Sequence, residues 1–240
     1  MTTRSTTKPR RPKTPPTAQP LVPDLHDDLL AKTLPPGQFK FTSKQGRARR
    51  MQLLNAAKEL LRDRPSEEVS LADVCQHAGI PRASAYHFFS NIQAVFLGLR
   101  VLHAESLIGA LDAVHSHDFD NWRDYFSALI DQGANALRND PAATQLVYGN
   151  LGSMSEARRL GEVLDARLAE IAVQGLTSRF TLQQWDEQAE VFGVAFTLVD
   201  SVFRLSWRQH GTVTEWMQTE ARRAAISYLR NYLPEVLPLC

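Results

Sequence analysis

Arg82, Ser84, Tyr86 and His87 fall within six residues of one another, with Ala83 and Ala85 between them. A guanidinium, two hydroxyls and an imidazole on so short a run suit hydrogen bonding to a polyanion with readable edges. Arginine can bond guanine O6 and N7, a tyrosine hydroxyl and a histidine nitrogen can reach phosphates, and alanine lets a helix sink into a groove. If the run is helical, Ala85, Phe88 and Phe89 at i, i+3 and i+4 face a core. At 100° per residue Ala83, Tyr86 and His87 then point outward, with Arg82 and Ser84 at the edges of that face.

The stretch Ser70–Phe89, SLADVCQHAGIPRASAYHFF, supplies what must hold that face in place. Ser70 with Asp73 three residues on forms a capping box, and Leu71, Val74, Cys75 and Ala78 mark the buried side of a short helix. Gly79 stands where a helix stops and φ can turn positive, and the next helix starts at Pro81 or Arg82. Two short helices joined by a glycine turn are the pattern of a helix-turn-helix, whose second helix enters the major groove. Upstream, Met51, Leu53, Leu54, Ala57, Leu60 and Leu61 predict an amphipathic helix over 44–64, ended by Pro65. Lys44, Arg47, Arg49 and Arg50 crowd its first turns. Cations there oppose the helix dipole, so an external anion such as DNA phosphate accounts for them better than helix stability does.

Charge is divided in the same sense. Residues 1–90 hold 15 Lys+Arg against 8 Asp+Glu, a balance of +7, whereas residues 91–240 hold 12 against 18, a balance of −6. A basic front suggests a polyanionic partner, and an acidic remainder argues against a chain that coats nucleic acid throughout. Residues 1–39 read as a disordered basic arm: eight of the thirteen prolines lie in its first 38 residues, and its first twenty hold five Lys+Arg and no acid. Such an arm either touches phosphates or is a solvated extension.

Beyond the bare motif, this region resembles the tetracycline-repressor (TetR) family of bacterial transcription regulators. The resemblance runs from RRMQLLNAAKELL through VSLADVCQHAGIPRASAYHFF and covers residues 44–98. It rests on Ala56, Ala57 and Leu60, on the Ala78-Gly79-Ile80 turn, and on Tyr86 and Phe89 closing the recognition helix. It departs at Pro81, where the family commonly has serine or threonine, and at Ile92, where it often has lysine. The DNA contacts it implies are therefore Lys44, Arg47, Ser70, Arg82, Ala83, Ser84, Tyr86 and His87. The organisation implied is all-α: a three-helix head over 40–90, then a helical effector-binding and dimerisation domain over 91–240.

Helices are predicted at 91–115, 119–139, 141–151, 154–178, 184–209 and 213–233, with no segment of strand period. Apolar residues cover much of the circumference of the helix through Phe192, Phe196 and Phe203, so it is central or buries a second face against another chain. Phe203, Trp216, Ile226 and Leu229 are the expected homodimer contacts, in the four-helix interface that the resemblance implies. A symmetric dimer reads a palindromic double-stranded operator. His103, Trp122, Tyr125, Phe126, Tyr148, Asn150 and Phe196 are the candidates to line an apolar pocket, although each taken singly also fits an ordinary core. With no basic cluster on those faces, an uncharged or amphipathic hydrophobic effector is expected.

Other chemistries find little support. Cys75 and Cys240 have neither the number nor the spacing of a disulfide framework or zinc site, and His115-x-His117-Asp118 lacks a second cluster to complete a metal set. No nucleophile elbow, phosphate-cradling glycine loop or zinc-protease motif occurs, and no cofactor is expected. No apolar run is read as approaching the roughly 20 residues of a membrane span, which fits a cytoplasmic protein. The expected function is a ligand-responsive DNA-binding dimer, most simply a repressor. The alternatives are a DNA-binding dimer controlled by a protein partner and a helical enzyme with an incidental helix-turn-helix.

Overall fold

The computed structural model describes residues 43–149 and 155–240, all helix and connection apart from one isolated antiparallel bridge between Phe180 and Leu239. The basic arm over 1–39 and Asn150 lie outside the described residues. The first helix, α1 (Lys44–Asp63), begins under Ser43, whose side chain accepts from the Gly46 N–H at 3.1 Å. Its buried face carries Leu53, Leu54, Ala57 and Leu61, as the periodicity requires. After a 3-10 turn over Ser66–Glu68 comes α2 (Leu71–Ala78), closed at its start by the full Ser70–Asp73 capping box.

At the end of α2 the Ile80 N–H returns to the Cys75 carbonyl at 3.0 Å, a closure that requires Gly79 at φ 64°. Pro81 then opens α3 (Arg82–Ala85), a single regular turn. The expected two-turn helix tightens instead, with His87 and Phe88 bonding back only three residues, to the Ser84 and Ala85 carbonyls. That tightening still leaves Ala85, Phe88 and Phe89 buried.

Six helices follow among the described residues: α4 (Ile92–Val114), α5 (Trp122–Asn139), α6 (Pro141–Tyr148), α7 (Ser155–Thr177), α8 (Gln188–His210) and α9 (Glu215–Leu229). Four begin at side-chain caps, Asn91, Asn121, Asp140 and Thr214, each accepting the backbone N–H three residues on. The caps at Asn121 and Thr214 start α5 and α9 slightly later than apolar periodicity suggested.

Among the described residues two large apolar cores result, with a small cluster of Leu97, Val101, Ala104 and Leu160 between α4 and α7. One joins α1, α2, α3 and the start of α4, and it also takes in Ala142 and Leu146 from α6. The other fills the bundle of α5, α7, α8 and α9 around Trp122, Phe126, Ile171 and Phe192. The expectation that no segment reaches membrane-span length needs correction. By length and composition α4 is long and apolar enough to cross a membrane, because it is packed by its own chain on several sides. It lies against α1, α5, α6 and α7, and more than half of its apolar stretch is buried.

Gly79→Ala is expected to cost about 1 kcal/mol, the penalty of a left-handed conformation for a residue with a Cβ. No larger loss is expected, because an added Cβ meets nothing within 4 Å. Urea unfolding measures it, and an unchanged midpoint would contradict the conformational argument.

Candidate nucleic-acid interface and a buried cavity

The outward face of α3 is held from behind. The Gln52 side chain donates to the Ala78 carbonyl at 2.9 Å, and Glu59 meets His77 at 2.7 Å, so the end of α2 is fastened to α1. Arg82, Ala83, Tyr86 and His87 are exposed and Ser84 is half-buried, with Tyr86 showing 60% of its surface. Large polar-tipped rings rarely stand so far out on a rigid turn unless something covers them. Ser70 is exposed, but its hydroxyl already donates to Asp73 Oδ2 at 2.6 Å while accepting the Asp73 N–H at 3.2 Å. The Ser70 hydroxyl first, and then the Ser70 N–H, which donates to the same Oδ2 at 2.9 Å, hold the Asp73 carboxyl below its ordinary value.

At the start of α1, Lys44 and Arg49 are exposed and Arg47 is half-buried. Arg50 is 3% exposed, so it belongs to the interior and not to the basic face that crowding in the sequence suggested. Among the described residues no group of three or more His, Cys, Asp or Glu is gathered as a metal site. The His115 ring turns inward, 3.0 Å from the Tyr125 hydroxyl, while His117 is exposed.

Between α4, α5, α6, α7 and α8 lies a cavity of about 130 Å³. Of the residues expected to line a pocket, it brings together His103, Tyr148 and Phe196, with Leu107, Leu129 and Ile130 as apolar wall. Trp122, Tyr125 and Phe126 are not in that wall. Trp122 Nε1 donates to the Pro234 carbonyl at 2.8 Å, and the Tyr125 hydroxyl donates to the Ile171 carbonyl at 3.1 Å. Phe126 stacks in the core with ring centroids 6.0 and 5.2 Å from Phe192 and Phe196. Each of these aromatic groups spends its polar atom or face within the chain, which helical spacing alone cannot reveal.

The two charged residues of the cavity wall escaped the sequence reading, Asp165 of α7 and Asp200 of α8. Asp200 accepts from the Tyr148 hydroxyl at 2.9 Å and from Arg204 at 3.1 Å. Burial, with Asp200 adding to it, pushes the Tyr148 phenol far above its ordinary range, so it stays a donor. No local motif marks this set, because its members come from three helices.

His103 also lines a second, polar pocket with Asn55, Lys58 and Asp140. There Lys58 of α1 meets Asp140 at 2.5 Å, and Asp140 also caps α6 through the Ala143 N–H at 3.1 Å. Gln145 reaches the Leu61 and Arg64 carbonyls at 3.3 Å each, closing the end of α1.

Of the expected interface residues, Trp216 is 65% exposed and Ile226 half-buried, whereas Phe203 lines the cavity and Leu229 is fully buried. Phe203 and Leu229 are thus committed to the chain's own core. The open stripe of α8 is Val194, Leu198, Ser201 and Leu205.

Comparison with known sequences matches two family descriptions: "Bacterial regulatory proteins, tetR family" over residues 53–99, and "Tetracyclin repressor-like, C-terminal domain" over residues 120–233. The chain belongs to the TetR family. Among curated TetR-family relatives, the HTH-type transcriptional regulator EthR of Mycobacterium tuberculosis is 29% identical over 142 residues, 58% of this chain and 57% of its own. The match thus spans little more than half the length of that relative. A solved TetR-family regulator from Streptomyces coelicolor shares the fold at a TM-score of 0.61 and 22% identity, covering 77% of this chain and 99% of that one. Another from Syntrophomonas wolfei has a TM-score of 0.62 at 11% identity, covering 79% and 98%.

Burial first, with Lys58 and Arg100 in the same direction and Asp140 opposing, holds the His103 imidazole below its ordinary value of 6.5. The folded chain therefore keeps the ring neutral where the unfolded chain protonates it, so its contribution to stability is present above about pH 6.5 and is lost as pH falls through the folded value. His103→Leu is expected to flatten the fall in melting temperature from about pH 7 to pH 5. Parallel pH profiles for the two proteins would rule out His103 as a source of that fall.

Proposed function

We propose that this TetR-family protein is a dimeric transcription regulator, a repressor, that reads a palindromic operator and is released by a hydrophobic or amphipathic small molecule. The observation that carries the reading is the exposed Arg82–Ala83–Tyr86–His87 face, held rigid by buried Ala85, Phe88 and Phe89. In it α3 enters the major groove with Arg82 on guanine, Ala83 and Ser84 against the groove floor, and Tyr86 and His87 on phosphates. Lys44, Arg47 and Ser70 approach the flanking backbone, and the basic arm adds sequence-independent attraction.

Release would act through α4 and α6. His103 of α4 belongs to the walls of both the cavity and the polar junction that holds Lys58 against Asp140. A ligand that favours a bundle shape with that junction shifted would move α1 and the reading face with it. Only the difference in affinity between the two shapes does this work. For the dimer, the stripe Val194, Leu198, Ser201 and Leu205 on α8, with Trp216 on α9, supports an isologous interface of two helices from each protomer.

Arg82→Ala is expected to cost about 1 to 3 kcal/mol of operator binding and to relax preference at one base position. Fluorescence anisotropy against the operator and random duplex, over a salt series, measures it. Equal losses on both would reduce Arg82 to a phosphate contact, and binding that does not weaken with salt would remove the DNA-reading proposal. Trp216→Asp is expected to weaken the dimer at least about tenfold by light scattering, with helicity intact, since truncating an interface anchor commonly removes more than about 1.4 kcal/mol. An unaltered dimer would place the interface on another face.

A further inference from the structure

The charged side chains in the cavity wall are of one sign. Asp165 and Asp200 are both there, and no lysine or arginine lines it. Asp200 is already engaged, by the Tyr148 hydroxyl and by Arg204, whose guanidinium also lies 5.4 Å over the Tyr148 ring. Asp165 makes no hydrogen bond or ion pair with another described residue. The charge acting on it is that of Asp200, which with burial as the larger cause holds the Asp165 carboxyl above its ordinary value of 3.8. A second observation adds a polar group to the wall. His103 is 8% exposed, forms no hydrogen bond with another described residue, and lies between this cavity and the polar pocket of Lys58 and Asp140, so its imidazole can take a hydrogen-bonding group presented from the cavity.

We propose that the cavity takes a small amphipathic cation: a protonated amine on a single aromatic ring or a compact aliphatic body, with Asp165 as its counter-ion and His103 as a further hydrogen-bond partner. The proposal rests on the effector reading and narrows it. An anion would meet two carboxylates. Asp165 is exposed at the cavity mouth, so a neutral molecule would gain nothing from it, whereas an ammonium placed there pairs with it and relieves the repulsion from Asp200. Leu107, Leu129 and Phe196 receive the apolar body. Size follows from the volume of about 130 Å³, close to the roughly 150 Å³ of an engineered apolar cavity that accepts benzene.

The test is calorimetric titration of the full chain at pH 7.5 with 2-phenylethylamine, 2-phenylethanol and phenylacetate. The expected result is amine binding at least about tenfold tighter than alcohol, with phenylacetate weakest. Asp165→Asn should remove the amine's advantage and leave the alcohol unchanged. Gly133→Leu provides a filled-cavity control, because Gly133 is in the wall and a Cβ there meets only Phe203 Cε2 at 3.9 Å. It should abolish binding of all three while the helical signal and melting temperature persist. Equal binding of amine and alcohol, both lost in Gly133→Leu, would overturn the cationic class and leave the cavity as an effector site. Binding that Gly133→Leu does not touch, or no binding of any probe, would overturn the cavity reading with it.

Discussion

The arrangement of this protein depends on one short helix packed into two cores at once. Leu146 of α6 is fully buried among the side chains of α1 and α4, and Tyr148, two residues on, stands in the wall of the cavity. Burying a leucine stabilises by about 2 kcal/mol. The Lys58–Asp140 pair beside it is 39% and 19% exposed on its two sides, where an ion pair contributes at most about 1 kcal/mol. Apolar packing therefore supplies the strength of the junction. The ion pair and the Gln145 bonds supply its register, and register is what a change in bundle shape can alter.

His103 occupies the point where register and cavity meet. A neutral, desolvated imidazole beside Asp140 and Lys58 is sensitive to whatever fills the space on its other side. A rigid α4 running through both cores transmits small displacements without absorbing them, since close-packed interiors are bistable more readily than they are deformable. The near-continuous apolar character of α4 has the same origin. A helix touched by α1, α5, α6 and α7 has little surface left for polar residues. That is why its composition alone meets the requirement of a membrane span.

Legibility in the sequence followed the range of the forces involved. Ser70, Asp73 and Gly79 act over three or four residues, so their structures could be read directly, and so could the outward turn of Tyr86 and His87. The all-α organisation followed from periodicity in the same way. What escaped was set by contacts between distant helices. Arg50 looks like its neighbours Arg47 and Arg49 until packing buries it. Trp122 and Tyr125 look like pocket aromatics until Pro234 and Ile171 take their polar atoms. Asp165 and Asp200 lie on separate helices, 35 positions apart, and no spacing rule joins them.

Cavity size constrains how such a protein can be switched. A ring-sized ligand fully buried contributes on the order of 3 kcal/mol, and only the part that differs between the two shapes of the bundle moves the equilibrium. Even if all of it differed, one site would shift the populations by about a hundredfold. Converting a regulator from about 99% competent to about 99% released requires roughly 5.5 kcal/mol. In the proposed dimer, two identical cavities coupled by the need of both heads to fit one duplex would together reach about 6 kcal/mol. On this reading the dimer does more than match a palindrome: it lets a ligand too small to throw the switch from one protomer do so from two.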